Sequence, residues 1–250
     1  MLTNISGEAV RPHSPIRPHR THTQKPKKRR TKLADRRLPT YTLGEEIVNS
    51  TTHAAGVLFG IFALVSCLIV TVGRSDVWGI VGSSVYGASL IILYAMSSVY
   101  HALPRNMGKK VMQVIDHCTI YFLIGGTYTP VLFSSIIPYS PSWGWTIFGI
   151  VWGCAVVGCV FTAIDLKKYA ALSMVCYLGM GWSIIMAAKT AIAAVPGYGL
   201  HWIFVGGVLY TVGAVAYGLG RKIRYMHSVF HVFVLLGSVT QYVGIITYVL

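Results

Sequence analysis

The chain has 250 residues, of which 54% are hydrophobic and only 11% are charged, and its formal net charge is +14. Soluble domains usually contain about 25% charged residues, so this composition excludes a chain that is disordered throughout and argues against a soluble globular enzyme. Residues 1–42 hold 11 Lys and Arg against two acids, whereas residues 43–250 hold 10 against five. We therefore interpret the chain as a basic tail joined to a long apolar body, with no nucleic-acid partner.

The tail, residues 1–42, contains no long apolar stretch, so we expect neither a cleaved signal peptide nor a packed fold there. Its densest charge lies at residues 25–30. Such a run is typical of a disordered cytosolic tail, and it also fits contact with anionic lipid headgroups, where each Lys or Arg contributes about 1 kcal/mol. A nuclear signal or a transit peptide fits less well, because so apolar a body inserts early into a membrane.

The body contains uncharged apolar stretches long enough to cross a bilayer, which requires about 20 residues per helix. The longest, residues 117–164, is too long for one helix and contains a Pro- and Ser-rich turn signal at residues 138–142. The sequence therefore predicts an all-α membrane protein with a seven-transmembrane helix bundle over residues 43–250. The predicted helices cover about residues 51–72, 77–100, 117–137, 144–164, 170–189, 200–220 and 228–249.

The basic residues outside the predicted helices indicate how the bundle is oriented. On one side of the membrane the tail and three loops together hold 19 Lys and Arg, whereas the other side holds only Arg74 and Lys189. Loops rich in Lys and Arg stay in the cytosol. We therefore expect a cytosolic N-terminus and an external C-terminus, with the plasma membrane as the expected location.

A few polar and ionisable residues lie within or at the ends of the predicted helices. Burying such groups in a membrane costs free energy, so they usually have a functional role. Under the expected orientation, all of them lie at the cytosolic ends. Several are four residues apart and therefore share one helix face. They are Glu45, Asn49 and His53 at helix 1, Ser97 and His101 at helix 2, Asp116 and His117 at helix 3, and His227 and His231 at helix 7.

Three of these residues fit a zinc site. His227 and His231 present two imidazoles one helical turn apart, a separation that one zinc ion can bridge, and His101 can supply the third nitrogen. A catalytic zinc has three protein ligands and one open position. The five cysteines lie in apolar stretches without a Cys-x-x-Cys pair, so we expect them neither as zinc ligands nor in disulfides. Spacing alone leaves open the alternative that the histidines are only polar residues of the headgroup zone.

The remaining polar residues fit supporting roles around such a metal. Asp116 could hydrogen-bond a water at the metal or orient a histidine, and Ser97 could polarise a substrate carbonyl or hold the water. We therefore assign Asp116 and Ser97 as candidate catalytic residues. Supporting or structural roles are expected for Glu45, Asn49, His53 and His117.

At these positions the sequence resembles the hemolysin III family, the bacterial branch related to the progestin and adipoQ receptors. Three blocks carry the resemblance, and together they cover residues 43–250 in order. They are Glu45-x3-Asn49-x3-His53, then S-S-V-Y-H at residues 97–101 with D-H-C-T-I-Y-F-L-I-G-G-T-Y-T-P at residues 116–130, and finally H-S-V-F-H at residues 227–231.

The resemblance implies a seven-helix fold with a cytosol-facing zinc held by His101, His227 and His231. It also implies that Asp116 and Ser97 lie beside the water that this zinc binds. A more distant similarity to alkaline ceramidases implies hydrolysis of an amide bond in a lipid, and the family name implies haemolysis. The tail, residues 1–42, is not part of the resemblance.

Three functions follow as hypotheses, each with membrane lipids as the expected partners. The leading one is a zinc-dependent hydrolase of a lipid amide or ester, which would affect membrane lipid homeostasis. The second is a receptor or lipid-state sensor whose zinc is structural. The third is a membrane-damaging protein, although helices that are apolar nearly all round argue against a wide pore. A retinal pump is excluded, because the last predicted helix has no lysine for a Schiff base.

Overall fold

The computed structural model describes residues 31–220 and 222–250. Over these ranges it contains helices and no β-strand, and it confirms the seven predicted transmembrane helices. A short 3₁₀ turn, Leu33–Asp35, precedes them. In chain order the seven are α1 Leu43–Gly73, α2 Val77–Ala102, α3 Met107–Tyr139, α4 Pro141–Asp165, α5 Ala170–Ala194, α6 Gly199–Leu219 and α7 Met226–Val249.

Two helices begin earlier than the sequence predicts, because their first turns contain charged residues that a search for uncharged stretches leaves out. α1 begins directly after a capping box, in which the Thr42 hydroxyl accepts the Glu45 N–H and the Glu45 carboxylate accepts the Thr42 N–H. α3 begins at Met107, where Asn106 accepts the Lys109 N–H. These extra turns bring several charged side chains to one end of the bundle.

α3 lies at the centre of the bundle and is its most buried helix. α2 packs beside α3, α1 packs on α2 and α7, and α6 packs on α7. α4 covers another side of α3, and α5 lies between α4 and α6 but contacts α6 only slightly. We call the end at which α1, α3 and α7 begin the proximal end, and the opposite end the distal end.

The outer faces of the helices expose large apolar side chains along their length. Leu58, Ile69, Val156, Val175 and Ile192 are each more than half exposed. In water, apolar patches of this extent would favour aggregation, whereas lipid tails are as apolar as the side chains and cover them. This surface and the seven apolar helices together identify an integral, multi-pass membrane protein.

Residues 31–42, which the sequence assigns to a disordered tail, lie across the proximal end, and we call them the strap. Thr31 and Arg36 donate hydrogen bonds to the last two residues of α4, at 2.8 and 2.9 Å. Arg105, between α2 and α3, donates to two carbonyl groups of the strap. The strap therefore contacts the helix ends through charged side chains and backbone groups, while the disorder expected for residues 1–42 stays a prediction. Residues 1–30, with the basic run, lie outside the described residues, and their disorder stays a prediction.

Close contact between α1 and α2 depends on Gly87. A Cβ atom at this position would lie 2.8 Å from the Cα of Leu64 and 2.5 Å from its Cβ. We expect Gly87→Ala to lower the free energy of unfolding by about 1–3 kcal/mol, because α1 must shift to admit the methyl group. In the control Gly153→Ala, the new methyl group meets no atom within 4 Å. Thermal unfolding in detergent compares the two variants, and equal melting temperatures would contradict this close contact.

Candidate metal centre

Three histidines meet at the proximal end, one from the last turn of α2 and two from the first turns of α7. His101, His227 and His231 are all buried. One nitrogen from each ring lies within 4.8 Å of the other two, and the Nε2 atoms of His227 and His231 are 3.0 Å apart. The structure thus brings together the three residues that the sequence singles out as metal ligands. We call them the histidine cluster.

The geometry of the histidine cluster fits a tetrahedral metal ion. Two imidazole nitrogens on one zinc, each about 2.0–2.1 Å from it, lie about 3.3 Å apart in an ideal tetrahedron. The 3.0 Å between His227 and His231 is close to this value. The Nε2 atom of His101 is buried and has no hydrogen-bond partner among the described residues. Such a buried polar atom is costly, and a cation that accepts its lone pair removes the cost.

Glu46, which is not among the predicted site residues, sets the orientation of His101. Its carboxylate lies 2.7 Å from the Nδ1 of His101 and 2.7 Å from the ammonium of Lys109. Because a carboxylate only accepts hydrogen bonds, the proton of the His101 ring lies on Nδ1, and Nε2 keeps its lone pair. A carboxylate behind a histidine in this way is typical of metal sites, where it fixes the tautomer and raises the basicity of the ligand.

Glu45, which the sequence favours through its spacing with Asn49, has a different role. Its carboxylate caps α1 and accepts the Tyr225 N–H at 2.8 Å, just before α7 begins. Glu45 therefore connects α1 to the start of α7, whereas the neighbouring Glu46 faces His101. The sequence does contain a signal for Glu46, since the capping box explains only one of the two acids in the first turn of α1.

Asn49 and His53 lie beside the histidine cluster. Asn49 accepts a hydrogen bond from the Ser228 hydroxyl at 2.6 Å, and its amide nitrogen lies 3.4 Å from the Nδ1 of His101. The His53 ring lies against that of His231, with centroids 3.7 Å apart and planes tilted by 32°, and neither of its nitrogens has a partner among the described residues. His53 packs against the histidine cluster without being one of its three nitrogen donors.

Tyr41, at the end of the strap, covers the histidine cluster from the proximal side. Its ring stacks on His227, with centroids 4.8 Å apart and planes 19° apart, and its centroid lies 5.7 Å from that of His101. Burial raises the pKa of Tyr41 well above its usual value, so the phenol stays neutral. Tyr41 therefore shields the cluster without adding charge. Sequence reasoning missed it, because no local pattern shows that the strap folds back over the helices.

The candidate catalytic residues Asp116 and Ser97 lie next to the histidine cluster. Asp116 is close enough to Ser97 and to His101 to interact with both side chains. On its other side it pairs with His117, whose Nδ1 is 3.5 Å from the carboxylate. The hydroxyl of Tyr217 lies 3.2 Å from the Nε2 of His117 and fixes the far side of that ring. A carboxylate placed between a hydroxyl and an imidazole can accept and return a proton.

A cavity of about 150 Å³ extends from these polar residues into the bundle, and we call it the central cavity. Ser97, Asp116 and His231 lie at its proximal end, and Trp182 and Gln241 line it further along. Its walls come mainly from apolar residues of α3, α5, α6 and α7. An apolar cavity with a few convergent polar groups fits a molecule with an apolar chain and a polar reactive group.

The contact between Glu46 and His101 leads to a test of metal affinity. We expect Glu46→Gln to weaken zinc binding by about 10–100-fold, because the amide keeps the size of the side chain but loses the charge that polarises the histidine. Competition with a chelating dye measures the affinity. The control Asp35→Asn removes an exposed acid from the same end of the chain. Equal zinc affinity in the two variants would show that Glu46 does not support a metal ligand.

Comparison with known proteins places this arrangement in a family. A model of the family described as "Haemolysin-III related" matches residues 41–242, a range that includes the histidine cluster and its neighbours but not residues 1–30. The chain is 38% identical over 208 residues to the "Hemolysin-3 homolog" of Bacillus subtilis (strain 168), which covers 83% of this chain and 96% of that protein.

Two further relatives span a wide range of organisms. "Hemolysin-3" of Bacillus cereus is 35% identical over 206 residues, covering 82% of this chain and 92% of the relative. The human "Monocyte to macrophage differentiation factor" is 26% identical over 215 residues, covering 83% of this chain and 85% of the relative. The match to the family model, the two bacterial relatives and the seven apolar helices lead to one conclusion: the chain belongs to the haemolysin-III-related family of integral membrane proteins.

Proposed function

We propose that this protein is a zinc-dependent hydrolase within the membrane that cleaves an amide or ester bond of a lipid and so contributes to membrane lipid homeostasis. The observation that carries the proposal is the position of the histidine cluster beside a hydroxyl and a carboxylate, at one end of an apolar cavity. Catalytic zinc has three protein ligands, because the fourth position is needed for the reaction. Among the described residues, no fourth His, Cys, Asp or Glu belongs to the group.

Zinc is a metal that this donor set suits. Imidazole ligands bind zinc well, and three neutral imidazoles hold a cation without adding further charge to a buried site. Zinc bound here would supply a Lewis acid that polarises a carbonyl group and acidifies water.

The side chains of Asp116 and Ser97 would carry the proton and the developing charge. The Asp116 carboxylate takes a proton from the attacking water as the water oxygen bonds to the carbonyl carbon. It returns that proton to the leaving amine or alcohol when the C–N or C–O bond breaks. Ser97 donates a hydrogen bond to the carbonyl oxygen, where negative charge develops. The His117 ring, held by the Gln113 carbonyl and the Tyr217 hydroxyl, lies 3.5 Å from the carboxylate and limits its movement.

A lipid substrate is supported by the walls of the central cavity. Leu123, Ile124 and Val234 are among the apolar residues that line it. α5 contacts α6 only slightly, so we place the proposed entry of an acyl chain from the bilayer between these helices. The stacked ring of Tyr41 limits access from the proximal side. Entry from within the bilayer suits a lipid better than it suits a soluble substrate.

We further propose that the histidine cluster faces the cytosol in the plasma membrane. In the sequence, residues 1–42, the connections from α2 to α3, α4 to α5 and α6 to α7, and the first turn of α3 hold 19 of the 21 Lys and Arg residues. Because such loops stay in the cytosol, the charge distribution supports a cytosolic proximal end.

Fatty-acid release by the purified full chain tests the proposed activity. Reconstituted in phosphatidylcholine vesicles with a ceramide or an acyl ester, the protein should release fatty acid, lose the activity on zinc chelation and regain it when zinc is restored. His231→Ala should be inactive, whereas His201→Ala, at an exposed distal histidine, should match the wild type. Full activity in the zinc-stripped protein and in His231→Ala would refute the proposal.

A second candidate is a receptor or lipid-state sensor whose zinc is structural. His53 is the residue that favours it, because its ring lies against that of His231 and neither of its two buried nitrogens has a partner among the described residues. A small rotation could make His53 a fourth ligand, which would close the site. Zinc X-ray absorption distinguishes the candidates: four nitrogen ligands favour the sensor, and three nitrogens with one oxygen favour the hydrolase.

The name of the Bacillus cereus relative, "Hemolysin-3", raises a third candidate, membrane damage. A pore would need polar faces, whereas the helices here expose mainly apolar residues. Leakage of liposomes that persists after the histidines are replaced would favour this candidate.

A further inference from the structure

A second cavity lies at the proximal end, between the strap and the junction of α2 with α3. Its volume is about 450 Å³, and we call it the basic pocket. Four of its lining residues are cationic, and none is acidic. The residues around it are Arg36, Arg37, Leu38, Thr40, Arg105, Asn106, Met107 and Lys110. None of them belongs to the histidine cluster or to the central cavity.

Arg36 has unsatisfied hydrogen-bond donors in the wall of this pocket. The side chain is 8% exposed, and its Nη2 donates to the Ile164 carbonyl at 2.9 Å. Its Nε and Nη1 atoms are buried without a hydrogen-bond partner among the described residues. Asp165 is close enough to Arg36 for their charges to interact, but no hydrogen bond joins the two side chains, and the Asp165 carboxylate oxygens accept the N–H groups of Thr31 and Lys168. A buried guanidinium with open donors is costly unless an anion binds them.

The other basic residues leave further donors at the same pocket. Arg105 and Lys110 each bond to backbone carbonyls of the strap, which uses only part of their donor capacity. Arg37 is exposed and has no partner among the described residues. Met107, also in the wall, is the first residue of α3, and the N-terminus of a helix carries a partial positive charge. All these charges repel one another until an anion is present.

We propose that the basic pocket binds the phosphate group of an anion, which joins the strap to the α2–α3 junction. Proteins commonly bind phosphate through the guanidinium groups of arginines and through the backbone N–H groups at a helix N-terminus. Two sources of this group fit the position: the headgroup of an anionic phospholipid and a free phosphate ion. Met107 and Val111, on the first turns of α3, are 49% and 40% exposed, so the pocket adjoins a lipid-facing surface.

Native mass spectrometry of the purified full chain tests the proposal and separates the two sources. The chain is titrated with phosphatidylglycerol, with zwitterionic phosphatidylcholine, or with inorganic phosphate, and inorganic phosphate is also used as a competitor. We expect saturable binding of phosphatidylglycerol that exceeds that of phosphatidylcholine. Binding of inorganic phosphate alone would assign the pocket to the free ion, and loss of bound phosphatidylglycerol on adding it would show a shared site.

Two matched charge reversals test whether the anion binds in the basic pocket. Arg37→Glu changes an exposed residue of the pocket, and Lys222→Glu makes the same kind of reversal at an exposed residue of the same end, outside the pocket. We expect Arg37→Glu to weaken binding of the anion about tenfold, the effect of replacing a charge-assisted contact by repulsion. Lys222→Glu should have little effect. Equal weakening by both variants, or no preference for any phosphate anion over phosphatidylcholine, would overturn the proposal.

Discussion

Replacing His231 with alanine is expected to lower the zinc content of the purified protein from about one ion per chain to near zero. His231 contributes one of three nitrogens, and its removal leaves His227 and His101 as a two-ligand site. Because a structural zinc with four ligands is bound with about 10–16 kcal/mol, one ligand accounts for roughly 2.5–4 kcal/mol, or on the order of 100- to 1,000-fold in affinity. Elemental analysis after gel filtration measures the content. His101→Ala should have the same effect.

The control for metal loss is a histidine of the same protein outside the histidine cluster. His201→Ala, at an exposed position in the first turn of α6, should keep the zinc content of the wild type. His231→Cys adds a second check, since a thiolate also binds zinc and should restore part of the content. Thermal unfolding of each variant shows whether it is folded. A folded His231→Ala protein that retains one zinc per chain would contradict the metal site.

The second large effect is expected for Asp116→Asn, which should lower the proposed lipid hydrolysis by about 10²–10⁴-fold while leaving the zinc content unchanged. The amide has nearly the same shape as the carboxylate but cannot accept the proton of the attacking water. Asp116 is not a member of the three-nitrogen group, so its loss should leave metal binding intact. Fatty-acid release and elemental analysis on one preparation measure both quantities.

Asp76→Asn is the control for this change, because it removes an acid at the distal end, before α2 begins. It should leave turnover unchanged. Ser97→Ala should give a smaller loss than Asp116→Asn, since one hydrogen bond to the carbonyl oxygen is removed and the base is kept. If Asp116→Asn lowers zinc content and turnover together, Asp116 supports the metal and is not the base of the reaction.

Much of the candidate site could be predicted from the sequence, because its spacing is local. His227 and His231 are one turn apart on one helix, and this spacing holds wherever that helix lies. The scarcity of polar residues in apolar helices makes His101 and Asp116 stand out, and alternation of the helices across the membrane places them at one end. The structure brings the three histidines together at that end.

The partners of these residues could not be predicted in the same way, because their contacts join distant parts of the chain. Glu46 contacts His101, which lies 55 positions further along the sequence. Glu45, an equally good candidate by sequence, instead accepts the N–H of Tyr225, 180 positions away. Adjacent residues of a helix point in directions that differ by about 100°. The rotation of α1 about its axis, relative to α2 and α7, therefore determines which of the two adjacent acids faces the histidines.

The sequence by itself determined the class of this protein, the number of its helices and the depth of its polar residues, because lipid requires long apolar helices and makes each polar group within them costly. Only the tertiary structure shows where the strap lies. Charge and low hydrophobicity predict disorder for the strap, and a local pattern does not contain its partners, which are the end of α4 and the side chains of Arg105 and Lys110. In the structure Tyr41 lies over the histidine cluster, and strap residues, among them Arg36, form one wall of the basic pocket.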